Sequence, residues 1–108
     1  MIQVVLTTFA NANDAETAVR TLVDENLAAC GTLIPGARSI YRWEGRVEDA
    51  GEIVVLLKTS RAADLTSRLG AIHPYETPEI LTFDSAAAPG AYARWVESAC
   101  TTSAGKAS

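Results

Sequence analysis

The period of the apolar residues switches twice between strand-like and helix-like, in the order strand, helix, strand, strand, helix, strand, and few folds satisfy that order. IQVVLTTF (2–9) is rich in β-branched residues, and its unbroken Val4-Val5-Leu6 core is that of a strand covered on both sides or placed mid-sheet. NANDAETAVRTLVDENL then carries Ala15, Ala18, Val19, Leu22, Val23 and Leu27 at helical spacing, with Asn13 and Glu16 three apart as a capping box. AACGTLIPGARSIYRW reads as a second strand in which Cys30, Thr32 and Ile34 alternate and Pro35-Gly36 forces a bulge. Glu44-Gly45 supplies a turn, and the third strand ends in EIVVLLKT, so the two strands form a long hairpin. Ser60 is expected to cap a second helix carrying Leu65, Leu69 and Ile72, and Glu79–Phe83 a fourth strand. Pro89 opens a last short helix with Tyr92, Trp95 and Val96, and a flexible tail is expected over 102–108.

This order is the split βαβ, ferredoxin-like pattern of the α+β class, expected here as one domain over 1–101. Both main helices fall on one face of the sheet, so the other face needs a cover that a chain of 108 residues does not itself provide. A second copy is the expected cover, with the long hairpin as the arm that reaches it. The net charge of −4 gives no basic field for nucleic acid or an anionic membrane and favours small cations instead. MIQVVLTTFA lacks the basic region of a signal peptide, and no run reaches the roughly 18 apolar residues of a membrane helix. Cys30 and Cys100 form no C-x-x-C pair, which points to a reducing, cytoplasmic setting.

Chemistry concentrates in HPYETPEI (73–80), which holds the only histidine. Pro74 ends the second helix at His73, and Pro78 keeps Thr77 extended, so the first reading is a stiff connector with Tyr75 packed at the core edge. The sharper reading joins the His73 imidazole to Glu76 or Glu79, a nitrogen and oxygen set suited to copper or zinc. Further ligands would come from Cys30, from elsewhere in the fold or from another subunit. Cys30 otherwise reads as a small buried hydrophobe, and as a nucleophile it would need His73 as its base. Tyr41 and Trp43 share one side of a strand, as core, interface or, less commonly, a ligand platform. Lys58 is a solvated strand end or the partner of a carboxylate at the sheet edge. Neither G-x-x-x-x-G-K, G-x-G-x-x-G nor G-x-S-x-G occurs.

ENLAACGTLIPGARSIYRWEG, GEIVVLLKT and HPYETPEI together resemble the CutA family of divalent-cation tolerance proteins, with a likeness running from about Val4 to Trp95. The resemblance implies a cytoplasmic homotrimer of ferredoxin-like subunits, with the architecture of PII-type signalling proteins, and the chain is expected to be no enzyme. It implies no required cofactor, and binding of copper or another divalent cation. Carried over, it places Cys30 at the head of the second strand, and Tyr41, Trp43, Glu44 and Gly45 along the trimer arm. It places Glu52 and Lys58 at the charged ends of the third strand, and Tyr92 and Trp95 as the closing aromatic pair. It matches His73, Tyr75, Glu76, Pro78 and Glu79 to the family's block, with His73 expected near a groove between subunits, where a PII-like trimer would hold a small ligand. Thr7 and Thr8 stand where some relatives have a cysteine, and Ile72 where some have a second histidine.

Overall fold

The structure is a computed structural model that describes residues 1–101, and the tail expected over 102–108 lies outside the described residues. Seven elements follow in order: β1 (Gln3–Phe9), α1 (Ala12–Asp24), β2 (Cys30–Trp43), β3 (Arg46–Thr59), α2 (Ala62–Ile72), β4 (Ile80–Asp84) and α3 (Gly90–Ala99). The strands form one antiparallel sheet in the order β2-β3-β1-β4, the ferredoxin-like topology expected from the sequence.

Alternation along the central strands sorts the sheet into two faces. Val5 opposite Leu57 and Phe9 opposite Ile53 point to the helices, where they meet Leu22, Leu65 and Leu69 in the main core. Gly31 lets α1 approach β2 closely, since a Cβ there would lie 2.7 Å from Val19 Cγ1 and 2.9 Å from Leu57 Cδ2. Residues of the other parity, Leu6 with Leu56 and Leu81, and Val4 with Phe83, form rows on the opposite face. There Leu81 is 48% and Phe83 50% exposed, so the sheet keeps an open apolar face. Helix α3 packs Val96 and Cys100 on Ile2 and Ala29 as a second, smaller core.

Beyond Ile53 the third strand loses β1, and its residues 46–52 pair with β2 alone as a projecting arm. The expected bulge is present: Pro35 and Gly36 lie between the pairs Ile34–Val54 and Ala37–Glu52, two residues against one. Pro35, without an N–H, is tolerated because β2 is an edge strand. The arm closes at Glu44 and Gly45, with φ of 49° and 77°, the left-handed pair of a two-residue hairpin turn.

Both helix starts differ from the expectation. Asn11, not Asn13, caps α1, accepting from the Asp14 N–H at 2.8 Å; the same three-residue spacing occurs two positions earlier, and Asn13 falls inside the first turn. At α2 the capping position belongs to Arg61 rather than Ser60, and no side chain caps it. The Arg61 N–H is instead met by the Thr59 hydroxyl at 2.8 Å. The fourth strand runs Ile80–Asp84, one residue later than expected.

Candidate functional site

Helix α2 ends where the sequence expects, with His73 as its C-cap at φ −68°, ψ 134° and its N–H on the Leu69 carbonyl at 2.9 Å. The imidazole turns inward and is 8% exposed. Its ring stacks on Phe9 with centroids 4.3 Å apart and planes within 10°. Nδ1 accepts the Tyr75 N–H at 3.1 Å, which places the ring proton on Nε2, and Nε2 donates to the Thr8 carbonyl at 2.9 Å. Both nitrogens of the leading candidate ligand are therefore occupied by backbone. Burial lowers the His73 pKa, outweighing the Thr8 bond and the charges of Glu52 and Asp14, which raise it, so the neutral ring is the stable form. The connector is stiff because of this ring as well as because of its prolines.

Tyr75 follows with its O–H donating to Glu52 at 2.8 Å. Burial, and next the neighbouring Glu52, push the Tyr75 phenol well up. Glu52 does not end the third strand, as expected, but stands mid-strand where β1 ceases to pair. Burial pushes its carboxyl up, but hydrogen bonds from Ser39, Tyr75 and Thr8 outweigh this, and it lies below the usual carboxylate range. Thr8 and Ser39 are the residues that sequence reasoning missed. Each is an ordinary strand residue locally, and only the sheet register brings their hydroxyls to one carboxylate.

Around this carboxylate runs a groove of about 570 Å³ bordered by Tyr41, Trp43, Glu52, Tyr75, Glu76 and Glu79. The register explains the aromatic wall: Ser39, Tyr41 and Trp43 lie opposite Ala50, Glu48 and Arg46, and alternation puts them on one face of the arm. Tyr41 is 44% and Trp43 42% exposed. Glu44 and Gly45 form the tip of the arm and contribute its turn.

The remaining candidates are placed elsewhere. Cys30 lies opposite Lys58, which lies opposite Val4, four residues along β1 from Thr8 and the His73 ring. At ~3.3 Å per residue that is at least about 13 Å, too far for a Cys-His pair. Cys30 instead neighbours Tyr92, whose phenol is pushed up by burial and then by Cys30. Tyr92 and Trp95 pack with centroids 5.7 Å apart. Lys58 donates to the Thr32 hydroxyl at 2.6 Å and the Leu56 carbonyl at 3.2 Å, not to a carboxylate as one of its two readings has it. Among the described residues, no three His, Cys, Asp or Glu side chains converge as one metal set. No helix of the described residues is long and apolar enough to cross a membrane.

Comparison with known proteins agrees with this architecture. Residues 3–99 match the family model described as CutA1 divalent ion tolerance protein. The divalent-cation tolerance protein CutA of Thermus thermophilus is 41% identical over 98 residues, 89% of this chain and 95% of that protein. The crystal structure of CutA from Xylella fastidiosa superposes with a TM-score of 0.90 at 35% identity, covering 93% of this chain and 98% of that one. The periplasmic divalent cation tolerance protein CutA from Archaeoglobus fulgidus superposes at 0.89 with 26% identity, over 94% and 100% of the two chains. Sequence, topology and element order agree over nearly the whole chain, and it belongs to the CutA1 family of divalent ion tolerance proteins.

Proposed function

We propose that the chain works as a homotrimer that binds divalent cations, copper among them, in the acidic groove beneath its arm. The observation that carries this reading is the open apolar sheet face around Leu81 and Phe83, which water disfavours and a second copy would cover. Glu76 and Glu79 are exposed and carry no ion pair among the described residues. They are the first cation ligands in this reading, and a neighbouring copy completes the set. His73 serves as the positioning group that fixes their segment. We read the chain as a binding protein rather than an enzyme, in keeping with the separation of Cys30 from His73. We place it in the cytoplasm, in keeping with two unpaired cysteines.

Two measurements test the reading. Sedimentation equilibrium should give three chains for the native protein and fewer for Phe83→Asp. Calorimetric titration of metal-free protein with Cu²⁺ should show saturable binding that Glu76→Gln with Glu79→Gln weakens. A monomeric mass at micromolar concentration would overturn the assembly, and no saturable heat would overturn the metal site. A second reading, a PII-like signalling trimer that takes a small organic ligand, is favoured by the aromatic wall of the groove, which a bare metal ion would leave unused.

A further inference from the structure

The groove joins two chemistries that a metal ion does not need together. One wall presents the rings of Tyr41 and Trp43, both nearly half exposed, on the same face of the arm. Its floor presents Glu52, which accepts the Tyr75 O–H at 2.8 Å and whose carboxyl Ser39 and Thr8 also help to hold low. Hydroxyls satisfy the lone pairs of a carboxylate but leave its charge uncancelled. Among the described residues, no lysine or arginine borders the groove. Arg46, on the same arm face at the tip, is turned to Glu48 at 3.9 Å. Glu76 and Glu79 add further negative charge at the rim.

Flat aromatic faces beside an uncompensated carboxylate favour a cation that is bulky, weakly hydrated and partly apolar. We propose that the groove binds an organic ammonium ion, its charged nitrogen over Glu52 and its alkyl groups against Tyr41 and Trp43. The proposal rests on the second reading above, the groove as a small-ligand site, and differs from the metal reading in using Glu52 and the aromatic wall, although Glu76 and Glu79 border the same groove. The ring quadrupoles and the carboxylate act on the same charge, so loss of either weakens binding. A neutral molecule of the same shape gains the apolar contact alone.

The chain has two tryptophans, Trp43 and Trp95, so Trp95→Phe leaves Trp43 as the sole reporter. That variant should be titrated with choline chloride at constant ionic strength, reading Trp43 fluorescence, and in parallel with 3,3-dimethylbutan-1-ol, the uncharged isostere of choline. Choline should saturate at one per chain, and both the isostere and the Glu52→Gln variant should show about ten-fold weaker binding. In calorimetry Tyr41→Leu should lose most of the choline heat. Equal binding of choline and the alcohol, or unchanged affinity in Glu52→Gln, would overturn the proposal. So would the lack of any saturable signal, which would leave the groove to a cationic side chain of a second copy. The same samples titrated with Cu²⁺ read the metal site separately, because Tyr41→Leu removes no carboxylate and should leave copper binding intact.

Discussion

Replacing His73 by alanine should destabilise the fold strongly while removing no free ligand atom. The substitution leaves the Thr8 carbonyl and the Tyr75 N–H without their partners, at sites that are buried and part-buried. Each unmet buried group costs about 1–3 kcal/mol, and the lost stack on Phe9 about 0.5–1.5 kcal/mol. Water reaching the part-buried N–H offsets some of this, so the expected loss is about 2–4 kcal/mol. Urea unfolding at one fixed protein concentration measures it, since an assembling protein has a concentration-dependent stability. The pH dependence gives a second, independent readout. The folded His73 pKa is lowered, so the unfolded chain takes up the proton first. Stability contributed by the neutral ring is therefore complete above the unfolded pKa of about 6.5 and is lost as pH falls towards the folded value, by at most about 1.4 kcal/mol per pH unit. The difference between native protein and His73→Ala should shrink as pH falls below about 6.5. A loss under about 0.5 kcal/mol, with no pH dependence in the difference, would refute the role of His73 as the lock of the connector.

Gly31→Ala should destabilise by about 1–3 kcal/mol, because its Cβ would press on Val19 and Leu57 in the packed core. A thermal melt at fixed concentration, compared with Gly70→Ala where a Cβ meets nothing within 4 Å, separates this crowding from the general effect of replacing glycine. Asn11→Ala should cost about 1 kcal/mol, as the Asp14 N–H loses its cap, whereas Asn13→Ala should be near neutral. Tyr75→Phe removes one of the hydroxyls that hold the Glu52 carboxyl low, so Glu52 should titrate at higher pH by carboxylate NMR, and an unchanged titration would contradict the hydrogen-bond assignment.

The fold was legible where local pattern and global topology agree. The runs 2–9 and 53–59, the helical spacing of Leu65, Leu69 and Ile72, the Pro35-Gly36 bulge and the Glu44-Gly45 turn each carry a local physical signature. Helix starts were less legible, because Asn11 and Asn13 both offer a cap to α1, Ser60 lies one residue before the capping position of α2, and the choice depends on which carbonyl starts the ladder. The site divides in the same way. The stiffness of HPYETPEI follows from its prolines, and the shared side of Tyr41 and Trp43 from alternation. The orientation of His73 does not, since an imidazole before proline can turn out to solvent or in to a carbonyl with equal local ease. Its inward turn depends on Phe9 and Thr8, more than sixty residues earlier in the chain. The resemblance puts Glu52 at a strand end, whereas the arm continues β-pairing through the charged run to Arg46.

Thr8 connects the lock to the groove. Its carbonyl takes the His73 Nε2–H, and its side chain helps to hold the Glu52 carboxyl low, so the end of β1 serves both the connector and the charged floor. Glu52 is half-buried, so donors in the folded chain offset the solvation that burial takes from its carboxylate. Hydroxyl groups, that of Tyr75 among them, provide this without supplying a positive charge, and a lysine in their place would cancel the negative charge of the groove floor. The folded chain thus keeps a negative charge ready at small rearrangement on binding, which is the electrostatic condition for selecting a cation by its fit to the walls rather than by charge alone.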